Sequence, residues 1–174
     1  NLEAYRAVQT LGLESPDLQA RLDRTLDEGM ARLANTQNED GGWGWWPGGE
    51  SDAYITAYVL FGLSRTEGAG VFVDEALIQS ATDYLLATLP TPEMVTEGWQ
   101  LDRLAFQYYV LSQAGVNGFA GPESLYSIRD QLNPWAQAML ALTLESFSPG
   151  DDRARTLLAD LESAAIRSAT GAHW

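Results

Sequence analysis

Eight stretches of the chain carry helical periodicity, and segments that are apolar nearly all round alternate with segments that are apolar on one side. The all-round ones run from Leu2 to near Gly12, from Ala53 to Leu63, from Leu101 to Ala114 and from Pro134 to Leu144. Between them, Leu18, Leu22, Leu26, Met30 and Leu33 form one single-sided stripe. Leu77, Ile78, Ala81, Tyr84, Leu85, Leu86 and Leu89 form another, and Leu157, Leu158, Leu161 and Ala165 a third. The sixth segment, with Leu125, Tyr126, Ile128 and Leu132, is too short to class. A helix apolar all round must be covered on every side, whereas a one-sided helix gives its other face to water. No segment shows sustained strand alternation. The pattern predicts an all-α fold of αα-hairpin repeats, spaced by roughly forty residues, forming an α/α toroid or part of one.

Punctuation between the segments supports these boundaries. Ser15-Pro16-Asp17 is a helix start, with a capping hydroxyl, proline at the first helical position and an acid at the positive end of the dipole. Ser51 or Asp52 is expected to cap the third helix, Asp74 the fourth and Asn133 the seventh. Pro90 and Pro92 end the fourth, Pro122 opens the sixth, and Pro149-Gly150-Asp151-Asp152 starts the eighth. The chain opens inside a helical pattern and stops at Thr170-Gly171-Ala172-His173-Trp174, so it reads as one domain or fragment, residues 1–174, excised from a larger multidomain protein.

Composition narrows the chemistry. The 174 residues are enough to bury a core, but a formal charge of −14 disfavours nucleic acid and anionic membranes, which need clustered positive charge. All ten basic residues are arginine, leaving no amine for Schiff-base chemistry. Cysteine is absent and histidine occurs once, at His173, so thiol chemistry and multi-histidine metal sites are excluded. No stretch reads as a membrane span.

The most distinctive stretch is Gln37-Asn38-Glu39-Asp40-Gly41-Gly42-Trp43-Gly44-Trp45-Trp46-Pro47-Gly48-Gly49-Glu50-Ser51-Asp52, which runs straight into the third helix. Glycine and proline at this density make a loop. Each indole buries roughly 150–250 Å² when it packs, so the loop is expected to fold onto the body of the protein. Weaker echoes at Glu97-Gly98-Trp99 and Thr170–Trp174 favour a corner that recurs at the ends of the hairpins. The functional alternative is an aromatic surface of Trp43, Trp45, Trp46, Tyr54, Tyr58, Trp99, His173 and Trp174 that binds a sugar, an isoprenoid or a peptide. Tyr54 and Tyr58, one turn apart, are expected to bury their rings. Glu39, Asp40, Glu50 and Asp52 flank the tryptophans, and a glycosidase would need two such acids roughly 5–9.5 Å apart. Capping and solvation explain them more simply, and capping likewise explains Asp151-Asp152. No catalytic, cofactor-binding or metal-binding residue is expected.

Gln37 to Trp46, followed by Ser51-Asp52-Ala53-Tyr54-Ile55-Thr56-Ala57-Tyr58-Val59-Leu60-Phe61-Gly62-Leu63, resembles the thioester domain of bacterial alpha-2-macroglobulin-like proteins, a relative of the complement thioester domain. Thr56-Ala57-Tyr58-Val59 after a glycine-rich loop is the most specific part, and Thr170–Trp174 resembles a loop of the same bacterial branch. The resemblance implies an αα-toroid that serves, without catalysis of its own, a broad-spectrum inhibitor which traps proteases through an internal Cys-x-x-Gln thioester. This chain has no cysteine, so no thioester residue maps onto it. The partners so implied are the other domains of the parent protein and, through it, target proteases, with neither nucleic acid nor direct membrane insertion. The implied location is periplasmic or extracellular, within a cell-envelope-associated protein. Gln37 to Trp43 is also similar to the Gln-x-x-Asp-Gly-x-Trp repeat of triterpene cyclases, which share the toroid with protein prenyltransferases. The cyclases' Asp-x-Asp-Asp acid is missing, as is the cysteine of the prenyltransferase zinc site. A toroid enzyme of the cyclase, prenyltransferase, polysaccharide lyase or glycosidase type is the alternative.

Overall fold

A computed structural model describes residues 2–11, 16–168 and 171–173. Among the described residues eight α-helices run in order: α1 (Leu2–Leu11), α2 (Pro16–Thr36), α3 (Ala53–Glu67), α4 (Glu75–Thr88), α5 (Gly98–Gln113), α6 (Pro122–Ser127), α7 (Pro134–Phe147) and α8 (Asp152–Ala164). Short 3₁₀ turns occupy Pro92–Met94 and Arg129–Gln131. The fold is all-α, with one departure from expectation. Strands β1 (Ile166–Ser168) and β2 (Gly171–His173) pair antiparallel, Ile166 opposite His173, where a loop was expected. Three-residue strands are too short for period-two alternation to show in the sequence.

The chain forms two compact units, Asn1–Tyr84 and Leu85–Trp174. In the first, α1 packs on α2 as a helical hairpin. Its buried apolar residues include Val8, Leu22, Trp43, Ala57, Leu60 and Leu63. In the second, α7 packs against both α5 and α8. Leu101, Leu104, Ala105 and Tyr108 of α5 meet Leu125 of α6, Leu140 and Leu144 of α7, and Leu157 of α8 in one core cluster. Each large side chain so buried contributes about 1.5–3 kcal/mol.

Caps hold these helices where the sequence places them. Asp52 Oδ1 accepts from the N–H groups of Tyr54 (2.9 Å) and Ile55 (3.0 Å), so Asp52 rather than Ser51 caps α3. Asp74 accepts from Ala76 N–H at 3.0 Å, and Asp151 from Arg153 N–H at 2.8 Å. Asn133 does more than cap α7. Its Oδ1 accepts from Ala136 N–H (3.1 Å), while its own backbone N–H and Nδ2 donate to Asp102 of α5 at 3.0 and 2.6 Å. That clamp fixes the start of α7 on α5. The expected cap at Ser15 lies outside the described residues.

The all-round apolar segments are not all buried. α5 is, with nine of its residues buried, including Gln107 and Ser112. α3 leaves Tyr58 62% exposed, α7 leaves Trp135 and Leu142 nearly half exposed, and α1 exposes Leu11. Periodicity marks a side as apolar but carries no information on what covers it. Trp99 also departs from expectation, since it sits in the first turn of α5 rather than in a preceding loop. Glycine at the first helical position, Gly98, is what disguised the helix start.

Candidate functional site

The loop from Gln37 to Asp52 is tied down by side chains along its length. Asn38 Nδ2 donates across it to Gly49 O and to Ser51 Oγ, both at 2.9 Å. Asp40 Oδ1 accepts from Gly42 N–H (3.0 Å) and from Ser51 Oγ–H (2.7 Å). Gln37 Nε2 donates to Gly41 O at 2.9 Å and reaches Leu77 O of α4 at 3.2 Å. Gly41 has φ +87°, and a Cβ there would land on the carbonyl oxygen of Ser80 in α4. Only glycine lets the loop pass so close to that helix.

Trp43 is the pin of the loop. It is 3% exposed, and its indole N–H donates to Leu33 O of α2 at 3.0 Å. Its backbone N–H donates to Thr56 Oγ1 at 2.9 Å, the Thr56 hydroxyl donates back to Trp43 O at 3.3 Å, and Asp52 N–H donates to the same carbonyl at 2.9 Å. Thr56 itself is fully buried. One hydroxyl in the largely apolar first turns of α3 therefore closes the base of the loop. The sequence signal for it is a lone threonine between Ile55 and Ala57, inside the segment that carries the family resemblance.

Two expectations for the tryptophans need correcting. Trp43 is not part of an accessible aromatic surface, because its ring is core and both its N–H groups are used. Trp45 and Trp46, expected to pack down, are 61% and 78% exposed. Trp45 is held by a hydrogen bond from its indole N–H to Asp52 Oδ2 at 3.3 Å. Tyr58, expected to bury its ring, lies open with its centroid 6.3 Å from that of Tyr54. Trp99 belongs to the other unit, where it is 53% exposed and Arg103 lies 4.6 Å from its ring centroid. The His173 side chain and Trp174 lie outside the described residues.

Two of the four acids of the loop are occupied. Asp40 staples the turn, and Asp52 uses one oxygen on the α3 cap and the other on Trp45. Glu39 and Glu50 are exposed beside an open hollow of about 470 Å³. Among the described residues no cluster of acids or histidine could hold a metal. The shifted groups lie in the second unit. Asp151 is held below the usual carboxylate range, first by hydrogen bonds from the Arg153 guanidinium, at 2.7 and 3.0 Å. Glu93 is lowered by hydrogen bonds to its backbone N–H and to Thr91 and Ser124. Burial raises the Tyr108 phenol, with the Glu93 charge adding to it.

No family model matches the chain. Over 64 residues, 37% of its length, it is 42% identical to an alpha-2-macroglobulin of Thermotoga maritima, of which it covers 4%. Over 62 residues it is 40% identical to a drimenyl diphosphate synthase of Streptantibioticus cattleyicolor, covering 12% of that protein. In fold it is similar to native Escherichia coli alpha-2-macroglobulin, solved from domain MG7 to the C-terminus, with a TM-score of 0.72 and 20% identity over 92% of this chain and 26% of that one. The chain thus spans a small part of the relatives it matches. Over a third of its length the chain is thus similar in sequence to a bacterial alpha-2-macroglobulin, and over most of its length it is similar in fold to another.

Proposed function

We propose that this chain is the scaffold of the thioester-domain region of an alpha-2-macroglobulin-like protease inhibitor, an α/α toroid or part of one with no catalysis of its own. The observation that carries the reading is the corner pinned by Trp43 and Thr56. It is the part of the chain that resembles the bacterial inhibitors, and its hydrogen bonds go into packing rather than chemistry. In the parent protein, cleavage of a bait segment by a protease exposes a Cys-x-x-Gln thioester outside this chain. A nucleophile of the protease then attacks the thioester carbonyl, the thiolate leaves, and the protease stays acylated. This chain supplies rigid, largely apolar surroundings that keep water from the bond beforehand. Its partners are the other domains of the parent and, through them, the captured protease. The location proposed is periplasmic or extracellular. No helix among the described residues is long and apolar enough to cross a membrane.

The test is covalent capture by the parent protein. Incubation with trypsin should give an adduct that survives boiling in detergent, and prior treatment with methylamine, which opens the thioester by aminolysis, should prevent it. A parent that forms no such adduct and has no Cys-x-x-Gln removes this reading.

The similarity to a diphosphate synthase favours one second reading, a toroid enzyme acting on an isoprenoid. Against it, Asp40 and Asp52 are consumed as staple and cap, and the two remaining acids, Glu39 and Glu50, stand exposed beside an open hollow rather than in an enclosed apolar cavity where an alkene could be protonated. Turnover of an isoprenoid diphosphate by this chain, lost in Asp40→Asn and Asp52→Asn, would favour the enzyme.

A further inference from the structure

Below the exposed Trp46 ring lies a cleft of about 180 Å³ between the end of α2, the Gly/Trp loop and α3. Its walls are Trp43, Trp46, Pro47, Ile55 and Val59, and Arg32 stands at its edge. Three features set it apart from an ordinary surface dip. Its wall is rigid, because Trp43 is locked by the hydrogen bonds to Leu33 and Thr56. An indole 78% exposed on a stapled loop is a large apolar area left in water at a fixed position. And in a chain of net charge −14, Arg32 makes no ion pair among the described residues. Tryptophan and arginine around a small apolar pocket are the residues that dominate protein–protein binding energy.

We propose that this cleft docks a peptide segment of a separate polypeptide that carries a phenylalanine or leucine next to an aspartate or glutamate. The apolar side chain fills the cleft against Trp43, Ile55 and Val59, Trp46 closes over it, and the neighbouring carboxylate pairs with Arg32. Size selects the occupant. Small-molecule sites enclose roughly 300–1,000 Å³, whereas this cleft holds about one large side chain. Charge selects its neighbour, because Arg32 has no carboxylate partner among the described residues. The proposal does not rest on the inhibitor role above.

The test is calorimetric titration of the full chain with two capped tetrapeptides, acetyl-Gly-Phe-Asp-Gly-amide and acetyl-Gly-Phe-Lys-Gly-amide. The aspartate peptide should bind more tightly, and its addition should shift the Trp46 indole N–H resonance. Trp46→Ala should weaken it about tenfold or more, and Arg32→Glu should reverse the preference toward the lysine peptide. Both changes are at exposed side chains, and the preference of the unaltered chain for one peptide needs no variant at all. Equal affinity for the two peptides, or no binding by either at millimolar concentration, overturns the proposal. So does displacement of the peptide by decanoate at lower concentration, which would make the cleft an acyl site. Self-association lost in Trp46→Ala, without peptide binding, would make it a contact between copies of this chain.

Discussion

Trp43 and Thr56 are bonded to each other twice: the tryptophan N–H donates to the threonine hydroxyl at 2.9 Å, and that hydroxyl donates to the tryptophan carbonyl at 3.3 Å. The pair joins a glycine-rich loop to the first turns of α3 inside the core. Replacing Thr56 by Val keeps the shape but orphans a buried N–H, a loss of about 1–3 kcal/mol. Trp43→Ala should cost about 3–5 kcal/mol, and Trp46→Ala, three residues on and exposed, no more than about 0.5 kcal/mol. Urea unfolding of the three variants checks the order. A Trp46 change as damaging as the Trp43 one would mean that the loop packs differently.

Gly41 and Gly48 both have positive φ, +87° and +74°, but only at Gly41 would a Cβ meet a neighbour, the Ser80 carbonyl. Gly48→Ala should therefore cost about 1–2 kcal/mol, the left-handed penalty alone. Gly41→Ala should cost clearly more, because the loop must also move off α4. Melting temperatures of the two variants, compared side by side, separate the steric cost from the conformational one.

Tyr108 is fully buried, and its hydroxyl has no hydrogen-bond partner among the described residues. Its ring packs on Phe119 with centroids 5.4 Å apart. Removing an unsatisfied buried hydroxyl while keeping the ring should be neutral or stabilising by up to about 1 kcal/mol. Tyr108→Phe tests this by denaturant unfolding. A loss above about 1 kcal/mol would show that the hydroxyl is bonded.

Asp151 caps α8 and takes two hydrogen bonds from the Arg153 guanidinium, which hold its folded pKa below the ordinary aspartate value of about 3.9. A depressed folded pKa contributes stability that is present above the unfolded value and is lost as pH falls through the folded one. Asp151→Asn should thus lose up to about 1 kcal/mol at pH 7, and the gap from the natural chain should close below the usual aspartate range. Thermal unfolding of both proteins from pH 7 down to pH 2.5 checks the sign. A gap that widens in acid would contradict it.

Much of this architecture was legible in the sequence because caps and breakers act locally. Asp52, Asp74, Asn133 and Asp151 announce their helices through short-range hydrogen bonds that any reader of the chain can anticipate. What stayed hidden depends on distant partners. Nothing near Asn133 foretells its clamp on Asp102, thirty-one residues away. Tyr58 and Trp46 look like core residues by type, and their exposure is decided by which neighbours reach them. At the site, the glycines and Trp43 were visible as a corner. The division into one buried indole and two exposed ones turns on Thr56 and Leu33, whose roles appear only once α2 and α3 are in place.

The proposal that this corner belongs to the casing of a thioester is tested most directly by spontaneous thiol release from the untreated parent protein. The chain itself has no cysteine, so every thiol detected comes from elsewhere in the parent. Thr56→Val should loosen the casing by about 1–3 kcal/mol and raise the protease-independent rate of thiol release by about fivefold to a hundredfold, with Trp46→Ala unchanged. Equal rates in Thr56→Val and the natural protein, or a parent with no thiol to release, would contradict the account.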